Sequence, residues 1–374
     1  MLISELPDDC LLAIFDHINN IYDLISCFKV CIKWSHLIAQ RNKKVKYLIE
    51  LYPERDDCVY YRGIKQIDGT YLNTEFPNLI ISYKLEEEEK RKHNCALVKN
   101  QESMQGPINS HQGPIEKYRF QLKMVSFDLI EPKIQHEGSS VKQLFRVKSL
   151  DQFKKDAHLF LNLERLNVYD YYYSLNSSLY EGPVLEKLKI AELAFFTIMR
   201  SEVCYDFQLI DSCPNLQSAF IVANTNRFFF DGTLKHKSLQ DLVLTGKSTS
   251  IDWNDLERLL MKYPNLKHLA LWRQFGIKDE HIKQLVHMLP NLVLLDVRGC
   301  RWVTHRAAKY IRVYCELYER SIKFYFRGNY HEIESDWPQL STNLEYFSRG
   351  FDFMKHCFLK KFRDLPHFLV PIDD

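Results

Sequence analysis

Near the start of the chain, Leu11, Ile14, Phe15 and Ile18 recur at i, i+3, i+4 and i+7, the spacing of one helical face. Pro7 ahead of them suits a first helical turn, where its missing N–H is not needed, and Asp8 and Asp9 follow where the helix dipole favours negative charge. A second short helix carries Leu24 and Phe28, with Asp23 as its candidate cap, and a third carries Val30, Trp34, Leu37 and Ile38. Three short helices within about forty residues cannot hide all of these groups, because a core of that size is marginal by itself. The surplus has to pack on the rest of the chain or on another protein, which is the physical mark of a docking module.

Further along, the pattern changes to a repeat of Leu-x-x-Leu-x-(Leu/Val/Ile). Copies run Leu163–Val168, Leu185–Ile190, Leu216–Ile221 (with Ala219 in place of Leu), Leu239–Leu244, Leu266–Leu271 and Leu292–Val297. The starting leucines are 22 to 31 residues apart, the period of a leucine-rich repeat or slightly more. Weaker copies begin at Ile115 and Val141, and Ile322–Phe326 reads as a last strand. Helical spacing fills the intervals: Leu256, Leu259 and Leu260 behind a cap at Asp252, then Ile282, Leu285 and Val286. Thr304 caps a further helix with Ala307, Ala308, Ile311 and Val313. Repeated strand, turn and helix predict an α/β architecture in which parallel strands line one side and helices the other, and each unit buries its face only against its neighbours, as in a curved solenoid.

The remaining segments break both patterns. Arg41 to Lys46 is basic, and reads as a solvated helix end. Residues 46–83 are a connecting segment in which Tyr60-Tyr61 and Ile80-Ile81 mark short strands. Residues 84–113, with Glu86–Glu89, Lys90-Arg91-Lys92 and a polar Gly/Pro stretch, bury little apolar surface and are expected to be a flexible loop or linker. After 329 the repeat is lost, but Trp337, Phe347, Phe351, Phe353, Phe358 and Phe362 are too apolar to float free, so a cap over the solenoid end is expected, with Leu365 to Asp374 as an irregular tail. The predicted organisation is therefore 1–45 helical module, 46–83 connection, 84–113 loop, 114–328 solenoid and 329–374 cap and tail.

The helical module resembles the F-box. The resemblance is carried by Leu6-Pro7, Leu11, Ile14-Phe15, Asp23-Leu24, Val30-Cys31 and Trp34, in order and at the family's spacing; Cys10 and Lys33 depart from its usual residues without removing an apolar anchor. The repeats resemble those of leucine-rich-repeat F-box proteins, through Leu295-Asp-Val-Arg-Gly-Cys300 with Val303-Thr304, and through Cys213-Pro-Asn-Leu and Leu289-Pro-Asn-Leu. The resemblance implies a three-helix F-box that docks a Skp-family adaptor, and through it a cullin–RING ubiquitin ligase, with contact positions at Leu6, Pro7, Leu11, Ile14, Phe15, Leu24, Val30, Cys31 and Trp34. Trp34 also has the plainer role of a buried aromatic holding the small bundle together, whereas Leu6, Pro7 and Leu11 are placed for an exposed docking edge. It also implies repeats that bind a target protein, with the chain as a non-catalytic substrate receptor. The alternative is a repeat scaffold without a ligase role, in which the F-box-like segment is only an N-terminal cap.

Because successive strand residues face opposite ways, the repeat leucines point to the core and their neighbours to the concave face. This singles out Arg165, Asn167, Tyr169, Lys187, Lys189, Phe220, Asp241, His268, Trp272, Asp296 and Arg298, an aromatic and charged mix suited to protein recognition.

Composition narrows the classes left. The 374 residues carry 50 Lys and Arg against 48 Asp and Glu, a formal charge of +2 that gives no bulk argument for nucleic acid or anionic membrane. The hydrophobic share of 46% is ordinary for a globular protein, and no run approaches a membrane span. The acidic start is not a signal peptide, so an intracellular location, cytoplasmic or nuclear, is expected. The ten cysteines lack a Cys-x-x-Cys pair and read as reduced, buried thiols. Cys27 and Cys31, four apart on an expected helix, read as packing groups rather than metal ligands, and His281 and His287 as surface residues. No phosphate-binding, metalloprotease, dinucleotide or nucleophile-elbow motif is present, so no catalytic residue, metal or cofactor is expected.

Overall fold

The computed structural model describes residues 3, 6–49, 58–60, 81–83, 123–126, 138–170, 179–195, 207–223, 227–246, 251–338, 345 and 347–370. The predicted loop at 84–113 and the copy at Ile115 lie outside them. The chain divides into two compact units, Met1–Val141 and Lys142–Asp374.

The first unit opens with three helices, α1 (Asp8–Asp16), α2 (Ile21–Phe28) and α3 (Ile32–Asn42). Their core is Leu11, Phe15, Ile21, Leu24, Trp34, Leu37 and Ile38, with Phe15 and Trp34 edge to face at 5.2 Å. Two expectations change here. Asn20, not Asp23, caps α2, its side chain accepting from the Tyr22 N–H at 2.9 Å. Val30 and Cys31 lie between α2 and α3 rather than on a helix, so Cys27 and Cys31 do not share one, and Cys31 is exposed instead of packed. Buried Arg41 donates to the Ile18 carbonyl at 3.1 Å and to Asn19 Oδ1 at 2.7 Å, fixing the turn between α1 and α2. Strands β1 (Tyr47–Ile49), β2 (Cys58–Tyr60), β3 (Ile81–Tyr83) and β4 (Met124–Ser126) pair in parallel, β1 between β2 and β3, with β4 beyond β3.

The second unit is a parallel sheet whose strands follow one another in chain order: β5 (Gln143–Val147), β6 (Arg165–Asp170), β7 (Ile190–Phe195), β8 (Ser218–Ala223), β9 (Asp241–Gly246), β10 (His268–Trp272), β11 (Leu294–Asp296) and β12 (Lys323–Tyr325). Register aligns Leu144, Leu166, Ala191, Ala219, Leu242, Leu269 and Leu295 in one row, all buried. The helices between strands include α4 (Leu150–Asp156), α5 (Phe207–Asp211), α6 (Trp253–Leu260), α7 (Asp279–Met288) and α8 (His305–Leu317). The caps read from the sequence form: Asp252 accepts from the Asn254 N–H at 2.9 Å, and Thr304 from the Arg306 N–H at 3.2 Å. Val313, expected on the apolar face of α8, is exposed; Tyr314 is buried in its stead.

The register also corrects one repeat. Ile190 pairs with both Arg165 and Ser218, so the unit begins at Leu188, not Leu185. Its motif is Leu188-x-x-Ala191-x-Leu193, with Ala where the others carry Leu, as in Leu216-x-x-Ala219-x-Ile221. The long interval disappears, and starts at Leu163, Leu188, Leu216, Leu239, Leu266 and Leu292 are 23 to 28 residues apart. Side-chain amides tie successive turns together: Asn215 donates to the Glu186 carbonyl at 2.8 Å, Asn265 to Lys237 at 2.8 Å and Asn291 to Pro264 at 3.1 Å. Each satisfies a carbonyl that the turn leaves without a strand partner.

The C-terminal stretch does not merely close an end. α9 (Glu332–Asp336), α10 (Phe353–His356) and the strand pair β13 (Phe347–Arg349) and β14 (Phe368–Val370) belong to a segment that packs on the other face of the sheet. Ile333, Phe353, Cys357, Phe358, Leu365 and Leu369 form one apolar cluster with Tyr169, Ile190, Phe220, Val222, Val243, Ala270, Leu294 and Tyr325. The expected irregular tail is, over Leu365–Val370, buried and part of this layer.

Candidate functional site

The sequence singled out two regions, and the structure treats them differently. In the first unit, Leu11, Phe15, Leu24 and Trp34 are interior residues, and Leu11 has 0% exposure, so it does not belong to an exposed edge as expected. The accessible members are Leu6, Pro7, Ile14, Val30 and Cys31. Lys33 draws the chain entry to the α2–α3 junction that carries Val30 and Cys31: its Nζ donates to the Leu6 carbonyl at 3.1 Å and pairs with Asp8 at 3.0 Å, bringing Leu6-Pro7 beside the first turn of α3. The result is an apolar edge in which Val30 is 59% and Ile32 77% exposed. Ile32 was not among the sequence candidates. The signal for it was helical phase: the buried stripe Trp34, Leu37, Ile38 and Arg41 leaves position 32 off the core side. An edge of this kind loses water favourably only against a partner surface, at roughly 25 cal/mol per Å².

In the second unit, Arg165, Asn167, Tyr169, Phe220, Asp241, His268, Trp272 and Asp296 do line one face, but most of that face is covered; Lys187 and Lys189 are not on it, because the frame that starts at Leu188 puts them ahead of β7 and Lys189 level with Glu164, and Arg298 follows β11. Arg165, Asn167, Tyr169, Phe220, Asp241 and Asp296 are buried, which corrects the expectation that they meet solvent. The cause is the C-terminal segment. Arg165 donates to the carbonyls of Pro366 at 2.7 Å and His367 at 3.3 Å, and Gln143 holds Leu369 by both backbone groups, at 2.6 and 3.0 Å. Phe362 lies against Tyr169 at 5.9 Å and Phe220 at 5.4 Å, and Phe358 against His268 at 5.9 Å. Burial holds the His367 imidazole well below its ordinary pKa, helped by the charges of Arg146 and Arg165. Burial, followed by the charge of Glu192, pushes the Cys357 thiol well up.

Lys187, Lys189, His268, Trp272 and Arg298 keep some exposure. Lys187 reaches Asn162 at 2.5 Å, and Lys189 pairs with Glu164 at 3.3 Å. Trp272 Nε1 donates to Asp296 at 2.8 Å, and Arg298 pairs with the same carboxylate at 2.8 Å while lying 5.3 Å over the indole. Ser218, Asp241 and His268 come together in one row, with Ser218 Oγ and His268 Nδ1 each 2.5 Å from an Asp241 oxygen. Here the carboxylate stands between serine and imidazole, the wrong order for a base to activate the hydroxyl. Among the described residues no group of His, Cys, Asp and Glu is arranged to hold a metal, and no helix is long and apolar enough to cross a membrane.

A family model for the F-box domain matches residues 3–46. A search of curated proteins finds no match to the chain. The matched span holds α1, α2, α3 and the whole apolar edge.

Proposed function

We propose that this chain is the substrate-recognition subunit of a cullin–RING ubiquitin ligase. Its F-box edge would dock a Skp-family adaptor, and its second unit, read as leucine-rich repeats, would hold a target protein. The observation that carries the reading is the solvent-facing apolar edge of Pro7, Val30, Cys31 and Ile32 inside the F-box match. The repeat reading is supported by chain-order parallel strands, leucine starts 23 to 28 residues apart and the asparagine bonds between turns. The work is positioning: a bound target is held near the charged conjugating enzyme, and the rate gain is one of proximity. The chain itself supplies no reacting group in this reading.

Co-expression with a Skp-family adaptor tests it. The expected product is a one-to-one complex on gel filtration. A folded chain that elutes free of the adaptor would leave the scaffold reading in its place.

A further inference from the structure

The last three strand exits carry an unusual charge distribution. The loops 273–278, 297–304 and 326–331, between β10, β11 and β12 and the helices that follow them, contain Arg273, Lys278, Arg298, Arg301 and Arg327 and no Asp or Glu, with Asp279, Asp296 and Glu332 at their borders. The whole chain is nearly balanced, with 50 basic and 48 acidic residues, so this segregation is local.

Register brings these loops side by side. Ala270 pairs with Asp296 and Asp296 with Tyr325, and the Val297 N–H donates to the Tyr325 carbonyl at 2.8 Å. Lys278 and Trp302 form a parallel bridge between the first two loops. Gly299, at φ +84°, packs so closely on Arg273 that an added Cβ would stand 3.2 Å from its backbone nitrogen, which holds Arg273 beside Arg298. Arg301 lies 5.0 Å over the Phe275 ring, and Trp302 is 63% exposed. Arg273, Arg301 and Arg327 are exposed and make no ion pair among the described residues. Of the carboxylates that border these loops, Asp296 is buried on Arg298 and Trp272 and Glu280 pairs with Lys278 at 3.8 Å, while Asp279 and Glu332 take hydrogen bonds from Thr304 and Asn329 in the first turns of α7 and α9.

We infer that this arginine- and tryptophan-bearing edge is a docking surface for an acidic segment of a partner polypeptide. A guanidinium held over an aromatic ring, as that of Arg301 is over Phe275, matches a carboxylate with little ordering cost, and exposed Trp beside Arg is the composition of interface anchors. A protein segment fits better than nucleic acid, because the patch is short and lies beside apolar Trp302. Within the proposed function, this edge would be where the target is held, since the sheet face is filled by the chain's own C-terminal segment.

The test is fluorescence anisotropy of the full chain with a labelled Glu/Asp-rich peptide, its Gln/Asn counterpart and a single-stranded oligonucleotide of equal length. The acidic peptide is expected to bind, more weakly as salt rises, and the neutral one not to bind. The Arg273→Glu/Arg301→Glu/Arg327→Glu variant should bind it roughly tenfold or more weakly, while Lys43→Glu/Lys155→Glu/Lys237→Glu, with the same change in charge, should bind as the parent does. Equal binding by the two variants, equal binding of the neutral peptide, no binding by the parent, or tighter binding of the oligonucleotide would each overturn the inference. Adaptor binding is read separately on the same preparations, so failure here leaves the F-box reading standing, and the reverse.

Discussion

Arg165 and Glu192 face each other across β6 and β7 with 1% and 0% of their side chains exposed, the guanidinium Nη2 standing 2.8 and 2.9 Å from the two carboxylate oxygens. Asn167 adds a third bond to the carboxylate at 2.6 Å, and the same Arg165 nitrogen continues to the Pro366 carbonyl. The ion pair therefore joins the sheet to the C-terminal segment. Removing one partner strands a buried charge, which costs about 3–5 kcal/mol. Glu192→Ala is expected to lower the unfolding free energy by that amount, read as a lower chemical-denaturation midpoint, and to open the 347–370 segment to protease. An unchanged midpoint with an uncut segment would count against the pair as its anchor.

Acid should loosen the same layer. The folded state keeps His367 neutral, with its pKa well below the ordinary 6.5, so below that value the unfolded chain binds the proton that the folded chain refuses. Stability is then full above about pH 6.5 and falls as the pH drops from there toward the depressed folded value. His367→Gln should flatten this part of the stability–pH curve. A curve whose slope between pH 6.5 and 5 survives the substitution would remove His367 as its source.

Thiol labelling separates the two units' surfaces. Cys10 and Cys31 are exposed, while Cys213, Cys300 and Cys357 are buried. Burial pushes the Cys300 thiol up to about 12, the nearby Asp296 charge adding to the effect against an opposing backbone hydrogen bond from Gln274. Since the thiolate is the reactive form, residue-resolved mass spectrometry of the native protein should find the first two alkylated in minutes and the last three protected until unfolding. Early labelling of Cys357 would mean that the C-terminal layer opens readily.

Much of this was legible in the residues, for local reasons. α7 begins and ends at Asp279 and Met288 where its Ile282, Leu285 and Val286 stripe and acidic first turn put it, and the Asp252 and Thr304 caps are short-range chemistry. The repeat at Leu188 was misread because Ala191 stands where a leucine marks the other units, and Leu185, three residues earlier, offers a false start; only pairing with β6 and β8 settles the frame. The covered face was missed for a different reason. Strand alternation does say which side Arg165 and Phe220 take, but not that a segment 201 residues from the first and 142 from the second covers it. The same limit applied to the F-box edge: the anchors were found by order and spacing, while the division into buried Leu11, Phe15, Leu24 and Trp34 and exposed Pro7, Val30, Cys31 and Ile32 follows from helix packing.

That division makes the most direct measurement possible, because docking and folding can be broken separately. Leu11→Ala empties a core position and should cost about 2–5 kcal/mol, lowering adaptor binding only by unfolding the helices. Ile32→Asp places a charge on an exposed position and should leave the melting temperature within about 2 °C. Calorimetric titration of a Skp-family adaptor into parent and Ile32→Asp protein is the decisive experiment. Stoichiometric binding by the parent is expected, with an affinity roughly a hundredfold lower in the variant and folding intact. A folded parent that binds no adaptor, or a variant that binds as tightly as the parent, would contradict adaptor docking at this edge.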